Sequence, residues 1–94
     1  MTIEEVRGEI ASIDEQIVEL IAKRVALAED ILHYKHKQKM SINDENQNSV
    51  VIERAIAAAT EHNLDTASVK EIFEILIRMN IEKQHELSGE GNLP

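Results

Sequence analysis

The stretch IEEVRGEIASIDEQIVELIAKRVALAEDILHYK, residues 3–35, decides the fold of this chain. Its apolar residues recur at alternating intervals of three and four positions, the pattern of a helix with one packed face. We call this row the apolar seam, and it comprises Ile3, Val6, Ile10, Ile13, Ile17, Leu20, Leu27, Ile31 and Tyr34. The same intervals reach Arg24, where an apolar residue is expected. The apolar seam predicts one helix of about 35 residues, roughly 50 Å long.

Helix breakers are nearly absent from the interior of the chain. The single proline is Pro94, and the three glycines are Gly8, Gly89 and Gly91. Residues 9–88 therefore contain neither residue type, which favours long helices. The predicted fold class is all-α, with one long helix and two shorter helices.

The two shorter helices are predicted to follow a lysine-rich segment that ends the first one. Asp44 has the position of an N-cap that opens the second helix. Small apolar residues on one face of this helix favour close packing, and they are Val51, Ala55, Ala58 and Ala59. Asp65 is the predicted N-cap of the third helix, which is expected to end near Leu87. The helical domain is thus predicted to span residues 1–87, and residues 88–94 are predicted to be a disordered tail.

The composition limits the classes of function. The 94 residues include 18 acidic and 10 basic ones, and the formal net charge of -8 disfavours binding to nucleic acid or to an anionic membrane. Without cysteine, the chain forms no disulfide and has no thiolate chemistry. No apolar run is long enough to span a bilayer, and the start MTIEEVRGE lacks the features of a signal peptide. We therefore predict a cytoplasmic protein that binds neither nucleic acid nor membrane.

The predicted first helix is too long to be covered by the two shorter helices of the same chain. A chain of 94 residues also buries a smaller fraction of its surface than a large protein does. A second copy can cover the rest of the apolar seam, and a two-fold dimer uses the same patch on both copies. We therefore predict a homodimer with antiparallel long helices.

Arg24 has two interpretations. Its stem can lie on the core while its head reaches water or an acid such as Glu19. Alternatively the head faces inward, where an anion must meet it because an unpaired buried guanidinium is costly. Lys35 lies eleven residues, or three helical turns, further along nearly the same face. It either interacts with the negative end of the helix dipole or converges with Arg24 on one ligand.

Other polar residues occupy positions that can face the same site. Asn80 and Gln84 lie four residues apart on the apolar stripe of the third helix, so they bind each other, stay exposed at the helix end, or contact a ligand. Asn48 lies one turn after the N-cap of the second helix. Arg7 is 17 residues, roughly 25 Å, from Arg24. It is either a surface residue or is brought to Arg24 by an antiparallel partner.

The sequence predicts no metal and no cofactor. His33 and His36 supply at most half of a metal site, and His62 and His85 are isolated. The chain also lacks a glycine-rich phosphate loop, a nucleophile elbow and a cysteine–histidine pair. An enzyme with this sequence therefore needs a reaction that proceeds without nucleophile or cofactor.

Between residues 3 and 87 the chain resembles the all-helical class of chorismate mutases. The resemblance rests on VRGEIASIDEQIVELIAKR with Arg7, Asp14 and Arg24, HYK with Lys35, IND with Asp44, EHNLD, and IFEILIRMNIEKQ with Asn80 and Gln84. It implies an intertwined helical homodimer with two sites, each formed mostly by one chain plus Arg7 of the other. It also implies the rearrangement of chorismate to prephenate, the step of the shikimate pathway that leads to phenylalanine and tyrosine.

The resemblance further implies roles for single residues. Arg24 and Arg7 of the partner subunit would bind the carboxylates of this dicarboxylate substrate, and Asn80 would help to bind the ring carboxylate. Lys35 and Gln84 would donate to the ether oxygen of the bond that breaks. Because the rearrangement is intramolecular and transfers no proton, catalysis would come from holding a compact conformer and from fixed donors.

Two positions depart from the family pattern. Arginine followed by glutamate or glutamine is usual where this chain has Gln47 and Asn48. The missing cation should weaken carboxylate binding, because a hydrogen bond to a charged group contributes roughly 1.5 to 3 kcal/mol. Asp44 would accept from the ring hydroxyl, and Asn48 can still bind that hydroxyl with a shorter side chain. Two alternatives stay open: an isochorismate-pyruvate lyase, and a non-catalytic or regulatory helical dimer of the same fold.

Overall fold

A computed structural model of the chain describes residues 1–89. They form four helices, which are α1 (Ile3–Ala26), α2 (Ala28–Lys37), α3 (Glu45–Glu61) and α4 (Thr66–Ser88). Residues 1–89 contain no strand, so the predicted all-α fold class is confirmed. Gly89 follows α4 in the left-handed region, with φ 86°. The predicted disordered tail falls mainly on residues 90–94, which lie outside the described residues.

The predicted first helix is divided at Leu27, so the prediction of one uninterrupted helix is wrong at this residue. Leu27 keeps a helical φ of -68°, but its ψ of -11° departs from the usual helical value of about -42°. Hydrogen bonds continue on both sides. The Leu27 N–H donates to the Lys23 carbonyl at 3.2 Å, and the Ile31 N–H donates to the Leu27 carbonyl at 3.0 Å. The irregularity is thus confined to one residue that carries no sequence signal, since it is neither glycine nor proline.

The predicted N-caps of α3 and α4 are confirmed. Asp44 Oδ1 accepts from the Gln47 N–H at 3.1 Å. Asp65 Oδ2 accepts from the Ser68 N–H at 2.9 Å and from the Ser68 hydroxyl at 2.6 Å. These bonds satisfy N–H groups that have no partner inside their own helix. Each cap therefore fixes the residue at which its helix begins.

Helix α4 packs against the other three helices and closes a small core. Within residues 1–89 the buried apolar side chains are Ala28, Leu32, Val51, Ala55 and Ala59. The three on α3 are four positions apart, so a single row of the helix surface makes the contact. Ala58, which was predicted to share this face, is exposed because it lies beside that row.

Most of the apolar seam is exposed. Ile10 and Ile13 are each 52% exposed and Leu20 is 62% exposed, although such residues are among those most often buried. Within the described part of the chain, α1 contacts only α2 and α4. The four helices therefore leave a long apolar face of α1 uncovered, as its predicted length implied.

Candidate active site

A cavity of about 250 Å³ opens between α1, α2, α3 and α4. It is lined by Arg24, Leu27, Ile31, Lys35, Asp44, Gln47, Asn48, Val51, Arg54, Ile77 and Asn80. An apolar wall with a few converging polar groups is typical of a small-molecule site. The fold thus gathers six of the predicted site residues around one cavity, and these are Arg24, Lys35, Asp44, Gln47, Asn48 and Asn80.

Arg24 lies in the last turn of α1 and is partly buried. Its Nη1 donates to the Leu76 carbonyl of α4 at 3.1 Å. Desolvation by burial lowers the pKa of Arg24, and the positive charge of Arg54 lowers it further. Arg24 forms no salt bridge with a carboxylate of residues 1–89, so the alternative of pairing with Glu19 is not realised. A guanidinium has five N–H donors, which leaves most of them available for an anion.

Lys35 lies in the last turn of α2 and points its ammonium group across the loop that leads to α3. Its Nζ donates to the Ile42 carbonyl. Desolvation by burial lowers the pKa of Lys35, and the nearby charge of Asp44 opposes this shift. The ammonium group carries three donors, so it can keep the bond to Ile42 and still donate to a ligand.

Asn80 and Gln84 form a hydrogen-bonded pair on α4, one of the outcomes that their spacing predicted. Gln84 Nε2 donates to Asn80 Oδ1 at 2.5 Å, and Asn80 Nδ2 donates to the Arg24 carbonyl at 3.3 Å. Gln84 is only 2% exposed, and its Oε1 has no hydrogen-bond partner within residues 1–89. Asn80 lines the cavity, whereas Gln84 is connected to it through Asn80.

The N-terminal end of α3 contributes polar residues to the cavity wall. Asp44 uses Oδ1 as the helix cap. Asn48 Nδ2 donates to Asn43 Oδ1 at 2.9 Å, and the amide oxygen of Asn48 can accept a hydrogen bond from a ligand. Gln47 is exposed at the cavity edge.

Two arginines differ from the sequence-based expectation. Arg7 is exposed in the N-terminal part of α1, and it is not part of the cavity wall formed by this chain. Arg54 lines the cavity, although it is not among the residues predicted for the site. Its spacing could have identified it. Val51 lies four residues after Gln47 and Arg54 lies three residues after Val51, so all three share one face of the helix that Asp44 caps.

A second cavity, of about 320 Å³, shares Lys35 with the first. His36 and His85 are in its wall, whereas His33 and His62 are not. No group of three or more histidine, cysteine, aspartate or glutamate residues that could hold a metal ion occurs in residues 1–89. None of the four helices is both long and apolar enough to cross a membrane.

The fold and the cavity together define an all-helical protein with a site for a small organic anion. Arg24, Lys35 and Arg54 supply three cations, while Asp44 is the one carboxylate in the wall. An excess of positive charge within an acidic chain favours a negatively charged ligand.

The chain belongs to the chorismate mutase type II family, whose model matches residues 6–85. It is 36% identical over 83 residues to the chorismate mutase of Methanocaldococcus jannaschii, covering 86% of this chain and 84% of that protein. It is 31% identical over 81 residues to the bifunctional chorismate mutase/prephenate dehydratase of Buchnera aphidicola subsp. Schizaphis graminum, of which it spans only 21%. The corresponding bifunctional protein of Enterobacter agglomerans is 26% identical over 81 residues, again with 21% of its length covered.

Proposed function

We propose that this chain is a chorismate mutase that rearranges chorismate to prephenate. The observation that carries the proposal is the convergence of Arg24 and Lys35, from two different helices, on one cavity whose wall also contains Asp44 and Asn80. Chorismate is a dicarboxylate with a ring hydroxyl, so it needs cations together with a hydrogen-bond acceptor. The family membership of the chain supports the same assignment.

The reaction breaks one carbon–oxygen bond and forms one carbon–carbon bond within the same molecule. Negative charge develops on the ether oxygen in the transition state, so a fixed donor beside that oxygen lowers the barrier. Lys35, which lines the cavity, supplies this donor. The role that the family resemblance implies for Gln84 requires the second hydrogen of its Nε2, since the first is donated to Asn80, and requires this side chain to reach the cavity from behind Asn80. Removal of one such donor typically slows an enzyme about 100- to 1,000-fold.

Substrate binding uses the remaining polar groups. Arg24 binds a carboxylate. Asn80 helps to bind the same group, because the hydrogen bond from its Nδ2 to the Arg24 carbonyl holds the two residues together. Asp44 and the amide oxygen of Asn48 accept from the ring hydroxyl. Gln47 lies at the cavity edge and offers the substrate an uncharged amide. Holding both carboxylates fixes the compact conformer in which the reacting carbons approach each other.

The active assembly is an intertwined homodimer with antiparallel long helices. The exposed apolar seam supports this proposal, because a second copy would bury it. Arg7 and Arg24 of one chain are separated by 17 helical residues, about 25 Å, which is too far for one small ligand. In an antiparallel pair the long helix of the partner runs in the opposite direction, so its N-terminal part lies beside Arg24. This arrangement brings Arg7 of the partner subunit to the second carboxylate.

The product points to a place in phenylalanine and tyrosine synthesis. The relatives from Buchnera and Enterobacter agglomerans are bifunctional chorismate mutase/prephenate dehydratases. We propose that prephenate made by this chain is consumed in the same pathway. The cytoplasmic location stays a prediction of the sequence.

Product identification tests the function directly. Purified protein is incubated separately with chorismate and with isochorismate, and the products are separated and identified. Prephenate from chorismate is the expected result. Salicylate plus pyruvate from isochorismate would establish the lyase instead, and the absence of turnover with both substrates would indicate a non-catalytic helical protein.

A further inference from the structure

One cation of the cavity has no counterpart among the predicted site residues. Arg54 lies seven residues after Gln47, two helical turns or about 10 Å along α3. Val51 lies between them and is only 8% exposed. All three residues line the cavity, so a single row of α3 faces it from one end to the other.

Arg54 and Arg24 line the same cavity. The charge of Arg54 is close enough to contribute to the lowered pKa of Arg24. Neither guanidinium forms a salt bridge with a carboxylate of residues 1–89. Arg54 is exposed, so its head can move onto a ligand without breaking a contact in the core. Two like charges directed at one cavity are stabilised when an anion binds between them.

We propose that Arg54 is a substrate-binding residue, which binds a substrate carboxylate together with Arg24 and supplies the cation that Gln47 does not. The inference rests on the proposed function, since the carboxylate is that of chorismate. An arginine side chain at position 54 can reach the part of the cavity beside Val51 from the C-terminal side of α3. An arginine at position 47 would reach the same part from the N-terminal side. The site therefore keeps a cation on α3, but this cation lies two helical turns after position 47.

A double-mutant cycle tests this inference. The variants are Arg54→Gln, Gln47→Arg and the two combined, with Arg78→Gln as the matched control. Arg78 is an exposed arginine on α4 whose Nε lies 3.7 Å from Glu82 Oε1, and it does not line the cavity. Each protein is measured by steady-state kinetics with chorismate and by calorimetric titration with prephenate, which is not consumed.

We expect Arg54→Gln to raise KM and to weaken prephenate binding about tenfold or more, because one charged contact is lost. Arg78→Gln should stay within about twofold of the unmodified protein, as usual for a surface residue. Gln47→Arg should restore most of the affinity in the Arg54→Gln background. In the presence of Arg54 the same substitution should change KM less than about threefold, because neighbouring contacts are not additive.

The outcomes separate this inference from the proposed function. If Arg54→Gln behaves like Arg78→Gln in both measurements, the inference is wrong even though the enzyme is active. If the unmodified protein binds prephenate without converting chorismate, the proposed function fails and the titrations alone decide the role of Arg54. Binding of neither compound by the unmodified protein would overturn both.

A second variant guards against a folding defect. Arg54→Lys keeps the charge and most of the stem but loses the planar fork that binds a carboxylate with two hydrogen bonds. Its affinity for prephenate should fall between those of the unmodified protein and Arg54→Gln. Circular dichroism verifies that all variants keep their helix content. Unchanged affinity in a folded Arg54→Lys variant together with unchanged affinity in Arg54→Gln would contradict the inference.

Discussion

Arg24 interrupts the apolar seam because the helix meets a cavity at this position instead of a packed neighbour. Its guanidinium donates to the Leu76 carbonyl of α4, and its own carbonyl accepts from Asn80. The residue therefore links α1 to α4 at both its side chain and its backbone. A lysine here would keep the charge but lose the rigid fork that binds α4 and an anion at the same time.

At the same scale, Lys35→Ala should lower kcat about 100-fold or more, because in the proposed mechanism the ammonium group acts on charge that develops in the transition state. The loss of the hydrogen bond to Ile42 should also reduce the free energy of unfolding by about 1 kcal/mol. Kinetics and urea denaturation measure the two effects. Lys37→Ala, an exposed position in the same helix turn, is the control and should change neither. Retained turnover in Lys35→Ala would mean that this lysine only closes the loop.

The lowered pKa of Lys35 predicts opposite pH trends for activity and stability. Burial lowers this pKa below its ordinary 10.5, so between the folded and the unfolded pKa the unfolded chain binds more protons. The contribution of Lys35 to the free energy of unfolding therefore rises with pH in this window. The protonated form that the proposed mechanism needs is lost over the same window, so kcat/KM, which reports the pKa values of the free enzyme, should begin to decline before the pH reaches 10.5. Profiles of kcat/KM and of denaturation against pH, with Lys35→Ala as the reference for stability, check both trends. A kcat/KM that stays constant up to pH 10.5 would contradict the trend for activity.

At the scale of helices, the close approach of α3 and α4 depends on a row of small side chains. Ala59 is 2% exposed and Ala55 is 4% exposed. Ala59→Leu should destabilise the fold by about 1 to 3 kcal/mol, because the added volume has no space in the packed interface. Ala58→Leu, one residue away on the exposed side of the row, is the matched control and should change the stability by less than about 0.5 kcal/mol. Thermal or urea denaturation measures both, and equal effects would show that the two positions are packed alike.

The same element scale explains how α3 carries the site. Its N-cap Asp44 sets the helix start, and the row of Gln47, Val51 and Arg54 then faces the cavity at helical intervals. A shift of the start by one residue would rotate this row by about 100°. The cap is therefore a condition for the site as well as for the helix.

At the scale of the whole molecule, the proposed dimer predicts complementation between two inactive variants. In the proposed dimer, Arg7→Ala and Arg24→Ala each remove one residue from every site. In a hybrid dimer one of the two shared sites regains both arginines. After unfolding and refolding of an equal mixture, random pairing makes half of the dimers hybrids, so the mixture should regain about a quarter of the unmodified activity.

Sedimentation at micromolar concentration accompanies this experiment and should give the mass of two chains. A mixture of Arg24→Ala with Lys35→Ala is the control. In the proposed dimer, one chain supplies both Arg24 and Lys35 to a given site. Each site of this hybrid therefore lacks one of the two residues, and neither site is intact. A folded monomer, or equal activity of the two mixtures, would contradict the shared site.

The sequence by itself determined the features that depend on neighbours in the chain. The helical intervals of the apolar seam, the missing breakers and the caps at Asp44 and Asp65 involve residues within one or two turns, and the structure confirms these features apart from the division at Leu27. The anomalous Arg24 and the family motif were also visible, because a charged residue at an apolar interval needs no fold to be noticed. The exposure of the seam followed from helix length alone.

Only the tertiary structure decided which side chains meet. Arg24 binds α4 at Leu76 and Asn80, partners that are 52 and 56 residues away in sequence, so no local pattern fixes these contacts. The cavity role of Arg54, the burial of Gln84 and the exposure of Ala58 depend on how the helices are rotated against one another. This rotation is set by side-chain packing between helices, since a change of one residue in register turns a helix face by about 100°. Local periodicity therefore determined the helices, and packing between them determined the site.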